Sequence, residues 1–197
     1  MARRGRVTRQ MRESRPVVIG AGVTEKWYFL HLKKLCGFRV EVKPKYFGSD
    51  TAFDMQKWVE DTLAAGDKAI CVYDMDTTLW DETERARKDS FLAQYTNHPN
   101  VILCGSMPSI EYWFLLHFEK TNRYFGTSKR VIQALNKYME FEKTERFLSK
   151  YSWVENLLAD GRMQRAIDNA EALGRKGESY TTMPEVIHIL EKFPDRS

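Results

Sequence analysis

The sequence predicts an α/β fold, a parallel sheet flanked by helices, followed by a helical C-terminal subdomain. Over residues 15–118, short apolar runs alternate with longer amphipathic segments. Such an alternation with short links is typical of a parallel sheet covered by helices. After Phe118 the strand-like runs stop and helical patterns continue. We therefore expect a basic flexible arm at residues 1–14, an α/β domain at residues 15–118 and a helical subdomain at residues 119–197.

Four segments of the α/β domain are predicted to be strands. The first, third and fourth are mostly apolar, as expected of strands that are buried on both faces of a parallel sheet. The second alternates apolar and charged residues, which is typical of a half-buried strand. In chain order, the predicted strands cover residues 15–20, 38–43, 69–73 and 101–104.

Helices are predicted after each strand and throughout the C-terminal part. Thr24 is suited to cap the first helix, and Gly37 to end it. Pro184 suits the first turn of the last helix. The predicted helices cover residues 24–36, 51–65, 78–95, 109–118, 128–139, 142–150, 154–173 and 185–192.

The composition excludes several classes of protein. The chain has 197 residues, of which 43% are hydrophobic and 29% charged, a balance that excludes wholesale disorder. No apolar run is long enough to span a bilayer, and none follows the basic N-terminus as a secretory signal would, so a cytoplasmic protein is expected. The three cysteines are far apart without a CxxC pair, and the four histidines form no HExxH. A disulfide framework or a zinc site is therefore not expected.

The positive charge is concentrated at the N-terminus. Residues 1–16 contain six arginines and one glutamate, whereas the whole chain carries +4, so the rest of the chain sums to −1. Such an arm is suited to bind a polyanion such as nucleic acid; a solubilising tail is the alternative. The arginines expected to contact nucleic acid are Arg3, Arg4, Arg6, Arg9 and Arg12.

Two aspartates follow the third predicted strand directly. Alternate side chains of a strand share a face, so Asp74 and Asp76 are expected to point the same way. Two nearby carboxylates repel each other unless a cation lies between them, and oxygen ligands favour Mg²⁺ or Mn²⁺ over zinc. The pair is thus a candidate metal site, with capping of the next helix as the alternative.

Two glutamates near the expected carboxyl edge of the sheet are also candidates. Glu111 lies in a strongly apolar helix and needs a partner, which is either a lysine or arginine or a metal ion. Glu25 lies in the first turn of the first helix, where an acid is favoured by the helix dipole alone. In the same apolar helix as Glu111, His117 is expected to be a packed or hydrogen-bonded core residue rather than a ligand.

Together these segments resemble the RloB family, small Toprim-fold proteins found beside restriction genes and in abortive-infection systems. The residues 22–25 with Tyr28-Phe29 look like its Glu-Gly-x-Thr-Glu…Tyr-Phe motif, and residues 72–76 like its apolar-Asp-x-Asp strand end. The longest match is residues 106–118, Ser-Met-Pro-Ser-Ile-Glu-Tyr-Trp-Phe-Leu-Leu-His-Phe, which is similar to Ser-Asn-Pro-x-Phe-Glu-Leu-Trp-Leu-Leu-His-Phe. The resemblance covers nearly the whole chain and implies a Toprim-like sheet.

The resemblance also implies a function, a metal-dependent nuclease in phage defence with an ATPase encoded alongside as its partner. Asp74 and Asp76 would hold Mg²⁺ or Mn²⁺, and Glu25 and Glu111 would complete the site as catalytic residues. The basic arm would hold the nucleic acid, either DNA or RNA.

One position departs from the family pattern. Toprim proteins place a glutamate at the end of the first strand, immediately before the glycine, where this chain has Ala21. Either the site lacks one acid, through natural divergence or substitution, or Glu25 or Glu111 supplies it. The alternative function is therefore a catalytically inactive Toprim subunit that binds nucleic acid or the ATPase.

Overall fold

A computed structural model describes residues 14–43, 52–75, 82–175 and 178–195. These residues form a five-stranded sheet in the order β2-β1-β3-β4-β5, in which β5 alone is antiparallel to its neighbour. The strands are β1 Pro16–Gly20, β2 Glu41–Lys43, β3 Lys68–Asp74, β4 Val101–Met107 and β5 Tyr180–Thr181. The predicted fold class, a mostly parallel sheet flanked by helices, is confirmed.

The helices follow the predicted order, with bounds that differ by a few residues. They are α1 Val23–Cys36, α2 Ala52–Ala64, α3 Glu82–Tyr95, α4 Glu111–Leu116, α5 Ser128–Leu135, α6 Glu145–Leu148, α7 Ser152–Leu158, α8 Arg162–Leu173 and α9 Met183–Leu190. No helix of the described residues is both long and apolar enough to cross a membrane.

One predicted helix is wrong. Residues 154–173 do not form a single helix, because a 3₁₀ turn at Ala159–Gly161 separates α7 from α8. Asp160 and Gly161 have φ angles of 53° and 69°, which are left-handed values that no α-helix continues through. Aspartate and glycine are among the residues that adopt this conformation most readily.

The strands bury side chains on both faces of the sheet, as their apolar sequences predict. We call the two resulting clusters of buried side chains the large core and the small core. In the large core, residues such as Val18 and Ile70 pack against α1, α4 and the helices after residue 118. In the small core, residues such as Val17 and Cys71 pack against Val59 of α2 and neighbouring residues of α3. The C-terminal helices therefore share one core with the sheet, while the predicted domain boundaries stay a prediction.

Residues near position 180 and near position 194 form backbone contacts with two earlier parts of the fold. Strand β5 pairs with the end of β4, Thr181 opposite Ser106 and Tyr180 opposite Met107. Further on, Pro194 bridges to Phe38 between α1 and β2, where the Arg39 N–H donates to the carbonyl of Phe193 at 2.7 Å.

Candidate functional site

Asp74 ends the central strand β3, at the carboxyl edge of the sheet. Its Oδ1 accepts a hydrogen bond from the Ile110 N–H at 2.8 Å, just before α4 begins. Burial of the carboxyl group raises the pKa of Asp74 well above its usual range, and the charges of Glu25 and Glu111 raise it further. The charge of Lys143 and the hydrogen bond from Ile110 oppose this rise. Asp74 therefore belongs to a cluster of acids rather than to an isolated strand end.

Glu111 is the first residue of α4 and is fully buried. Ser109 donates a hydrogen bond from its Oγ to Glu111 Oε2 at 2.5 Å. The other carboxylate oxygen, Oε1, lies 2.9 Å from Nζ of Lys143. Of the two kinds of partner that the sequence left open for Glu111, the structure shows the lysine. A buried carboxylate requires such a partner, because the transfer of its charge out of water costs on the order of several kcal/mol.

Glu25 reaches the same edge from the first turn of α1, where it is 3% exposed. Two glycines make this approach possible. A Cβ atom on Gly20 would lie 2.7 Å from Glu25 Cβ, and one on Gly22 would lie 2.8 Å from Glu25 Oε2. The Gly-x-Gly turn thus leaves room for the side chain of Glu25.

The pKa of Glu25 is raised from 4.5 to about 7. Burial of the carboxyl group is the main cause, and the negative charge of Glu111 adds to it. A hydrogen bond from the residue's own backbone and the charge of Lys143 act in the opposite direction. At neutral pH, both the protonated and the ionised forms of Glu25 are therefore populated, which suits a group that transfers protons.

Lys143 comes from the segment between α5 and α6, far from the sheet in sequence. Burial alone would lower its pKa, but Glu111, with Asp74 and Glu25, raises it. Sequence reasoning missed this residue. It lies in the charged run Glu-Phe-Glu-Lys-Thr-Glu at 140–145, which resembles an ordinary solvated surface. No local pattern distinguishes Lys143 from its neighbours, so only the tertiary structure identifies it.

The structure therefore brings together three of the four predicted acids, Glu25, Asp74 and Glu111. The fourth, Asp76, lies outside the described residues, as do the arginines Arg3, Arg4, Arg6, Arg9 and Arg12. Their predicted roles stay predictions.

Two further residues of the sequence analysis lie near this edge or behind it. Ala21 is exposed, and its N–H donates to the carbonyl of Val72 at 3.2 Å. His117 is fully buried, with Nδ1 3.0 Å from the carbonyl oxygen of Trp113. Burial lowers the pKa of His117 from 6.5 to about 4. The expectation that His117 is a hydrogen-bonded core residue is confirmed.

The donor chemistry of the cluster fits a hard divalent cation, since all three acids offer carboxylate oxygens. Within the described ranges, however, no three acidic, histidine or cysteine side chains form a group that could hold a metal ion as they stand. An ammonium group lies at the cluster instead, against Glu111.

Comparison with protein families matches the chain to a family. Residues 17–190 match the family described as RloB-like protein, which is most of the chain, so the chain belongs to this family. No curated protein matches the chain. No solved structure matches it either.

Proposed function

We propose that this member of the RloB-like family is a metal-dependent nuclease of a bacterial phage-defence system, hydrolysing nucleic-acid phosphodiesters. The observation that carries the proposal is the cluster of Glu25, Asp74 and Glu111 at the carboxyl edge of a parallel sheet, which is where such sheets bind ligands. The burial and mutual repulsion of these acids raise the pKa values of Glu25 and Asp74. Perturbed acids of this kind are typical of functional sites.

The proposed cofactor is Mg²⁺ or Mn²⁺, held by Asp74 and Asp76. When bound, such an ion polarises the scissile phosphate and stabilises the attacking and leaving oxygens. It would also relieve the repulsion between the clustered carboxylates.

In the proposed reaction, the residues of the chain orient the substrate and move a proton. Glu25, with its pKa of about 7, accepts a proton at its carboxylate from the attacking water or returns one to the leaving oxygen. Ser109 fixes the orientation of Glu111 by donating to Oε2. The arginines of residues 1–14 hold the phosphate backbone of DNA or RNA.

A second candidate function is supported by two observations. Ala21 replaces the first acid of the Toprim pattern, and Lys143 supplies positive charge to the cluster without a metal. A catalytically inactive subunit that binds nucleic acid or its ATPase partner would have such a site. In that case Glu25, Asp74 and Glu111 take no part in catalysis.

The test is cleavage of labelled single-stranded and duplex DNA and RNA in Mn²⁺ or Mg²⁺, with chelator as the blank. We expect cleavage by the wild type. In Asp74→Asn we expect the cleavage rate to fall about 100-fold or more, since asparagine keeps the shape of the side chain but lacks the negative charge that binds the metal ion. Asp89→Asn, at an exposed position on α3, is the matched control and keeps wild-type activity. Binding of nucleic acid without cleavage under any of these conditions would favour the inactive subunit.

A further inference from the structure

The segment between α5 and α6 contributes the side chain of Lys143 to the acidic cluster. Its Nζ lies 2.9 Å from Glu111 Oε1, and its charge acts on Asp74 and Glu25 as well. The proposed reaction assigns it no role.

We propose that Lys143 is the resident counter-ion of the acidic cluster, and that a divalent cation uses Glu111 only by displacing its ammonium group. This inference rests on the proposed function, because it presupposes that a metal ion binds at the cluster. It adds a residue from outside the α/β part of the chain, one that sets how tightly the metal binds.

Both carboxylate oxygens of Glu111 already have a partner. Oε2 already accepts a hydrogen bond from Ser109 at 2.5 Å, and Oε1 faces Lys143. A carboxylate has about four lone-pair sites, so each oxygen keeps one, but a metal ion at either oxygen lies close to the ammonium group of Lys143. A divalent ion and an ammonium group at the same carboxylate repel each other strongly, because two nearby like charges in a poorly solvated site are only weakly screened.

Lys143 also has a way out of the cluster. Its side chain is 39% exposed, whereas that of Glu111 is 0% exposed. A lysine has a long flexible stem with a strongly hydrated head group. The ammonium is therefore able to withdraw into solvent by a change of rotamer, whereas Glu111 stays in place.

Lys143 also offsets the repulsion among the acids of the cluster. Two buried carboxyl groups and that of the half-buried Asp74 repel one another at this edge of the sheet, which favours protonation or pairing of each. Lys143 pairs with the most buried of them. The charge of Lys143 also opposes the rise in the pKa values of Asp74 and Glu25, so it offsets part of the repulsion within the whole cluster.

The experiment is a calorimetric titration of Mn²⁺ into the full chain and its variants. Lys143→Met removes the charge but keeps the stem, and we expect Mn²⁺ to bind about tenfold tighter or more, because the competing cation is gone. Lys143→Arg keeps the charge and is expected to stay close to the wild type. Lys137→Met, at an exposed position just after the end of α5, is the matched control and leaves the affinity unchanged.

Unfolding measurements keep the proposal testable if Lys143→Met folds poorly. Mn²⁺ should then raise the melting temperature of Lys143→Met more than that of the wild type, since a tighter ligand stabilises the native state more. A purely structural lysine would instead lower the melting temperature equally with and without Mn²⁺.

Three outcomes decide between this inference and the proposed function. If Asp74→Asn weakens Mn²⁺ binding but Lys143→Met leaves it unchanged, the inference is overturned and the metal site stands. If the wild type binds no Mn²⁺ but Lys143→Met does, the inference is supported. If neither Asp74→Asn nor Lys143→Met changes the affinity, the ion binds elsewhere, and both the inference and the metal centre of the proposed function are overturned.

Discussion

The two faces of the sheet differ in the size of the side chains that they bury and in whether they carry acids of the candidate site. The large core contains the largest fully buried side chains, among them Trp113 and Tyr28, and it extends through α1, α4 and the C-terminal helices. The small core is a thin layer between the sheet and α2 and α3. Glu25 and Glu111 both lie on helices that belong to the large core.

This difference indicates how the chain tolerates buried acids. Taking a carboxylate out of water is costly, even when it is paired. Aromatic side chains each bury a large apolar area, and their burial offsets that cost. In the large core, Trp113 also donates from Nε1 to the hydroxyl of Tyr28 at 2.7 Å, so that α1 and α4, which carry the two glutamates, are tied together.

The largest expected effect contrasts truncations in the two cores. Trp113→Ala is expected to lower the free energy of unfolding by about 3–5 kcal/mol, because it leaves a large cavity and an unpaired Tyr28 hydroxyl. Val59→Ala, at an equally buried position of the small core, should cost only about 2 kcal/mol, since it removes two methyl groups. Urea unfolding of both variants checks the contrast, and equal losses would show that the two cores contribute alike.

The next effect concerns the pH dependence that the buried acids impose. Glu25 has a pKa of about 7 when folded and 4.5 as its ordinary value. The folded state therefore binds more protons than the unfolded state between these values, and the contribution of Glu25 to stability falls as the pH rises from about 4.5 to 7. Glu25→Gln abolishes this loss. As the pH rises through this range, we expect its free energy of unfolding to increase by up to about 3 kcal/mol relative to that of the wild type.

The comparison must be made between variant and wild type, because His117 acts in the opposite direction. Its pKa is lowered to about 4, so its contribution is present above pH 6.5 and is lost as the pH falls from 6.5 towards 4. Urea unfolding at pH 5, 6 and 7 gives the difference, with Glu155→Gln, an exposed glutamate on α7, as the control. If the free energies of unfolding of Glu25→Gln and the wild type differ by the same amount at all three pH values, the raised pKa of Glu25 is contradicted.

The smallest effect is expected at Ser109, which supports Glu111 in the large core. Ser109→Ala removes a buried hydrogen bond to a carboxylate and should cost about 2 kcal/mol. Ser149→Ala is the control, since Ser149 is exposed and its hydroxyl contacts the carbonyl of Arg146 at 3.4 Å. If the two serine variants lose the same free energy in thermal unfolding, Ser109 has no special role in holding Glu111.

Much of the fold was predictable because its signals are local. Apolar runs identified the strands β1, β3 and β4, and the step from a buried strand into Asp74 placed that acid at the carboxyl edge. The need of Glu111 for a partner was also predictable, since burial of a charge follows from the apolar residues around it.

The features that escaped prediction depend on distant contacts or on single backbone angles. Lys143 pairs with a residue 32 positions earlier in the chain, and nothing in its own neighbourhood marks it. Strand β5 has two residues and owes its conformation to β4. The break between α7 and α8 depends on the left-handed backbone at Asp160, whereas the apolar periodicity on both sides favours one continuous helix.

The closure of the sheet by β5 has a consequence for synthesis on the ribosome. Translation delivers β4 long before residues 180–195, which pair with β4 and with the turn between α1 and β2. Until those residues emerge, the nascent chain carries an open strand edge, and such an edge is a template for pairing with other chains. Codon choice and chaperone access in the stretch of message between β4 and β5 should therefore affect the yield of folded protein more than the same changes placed earlier.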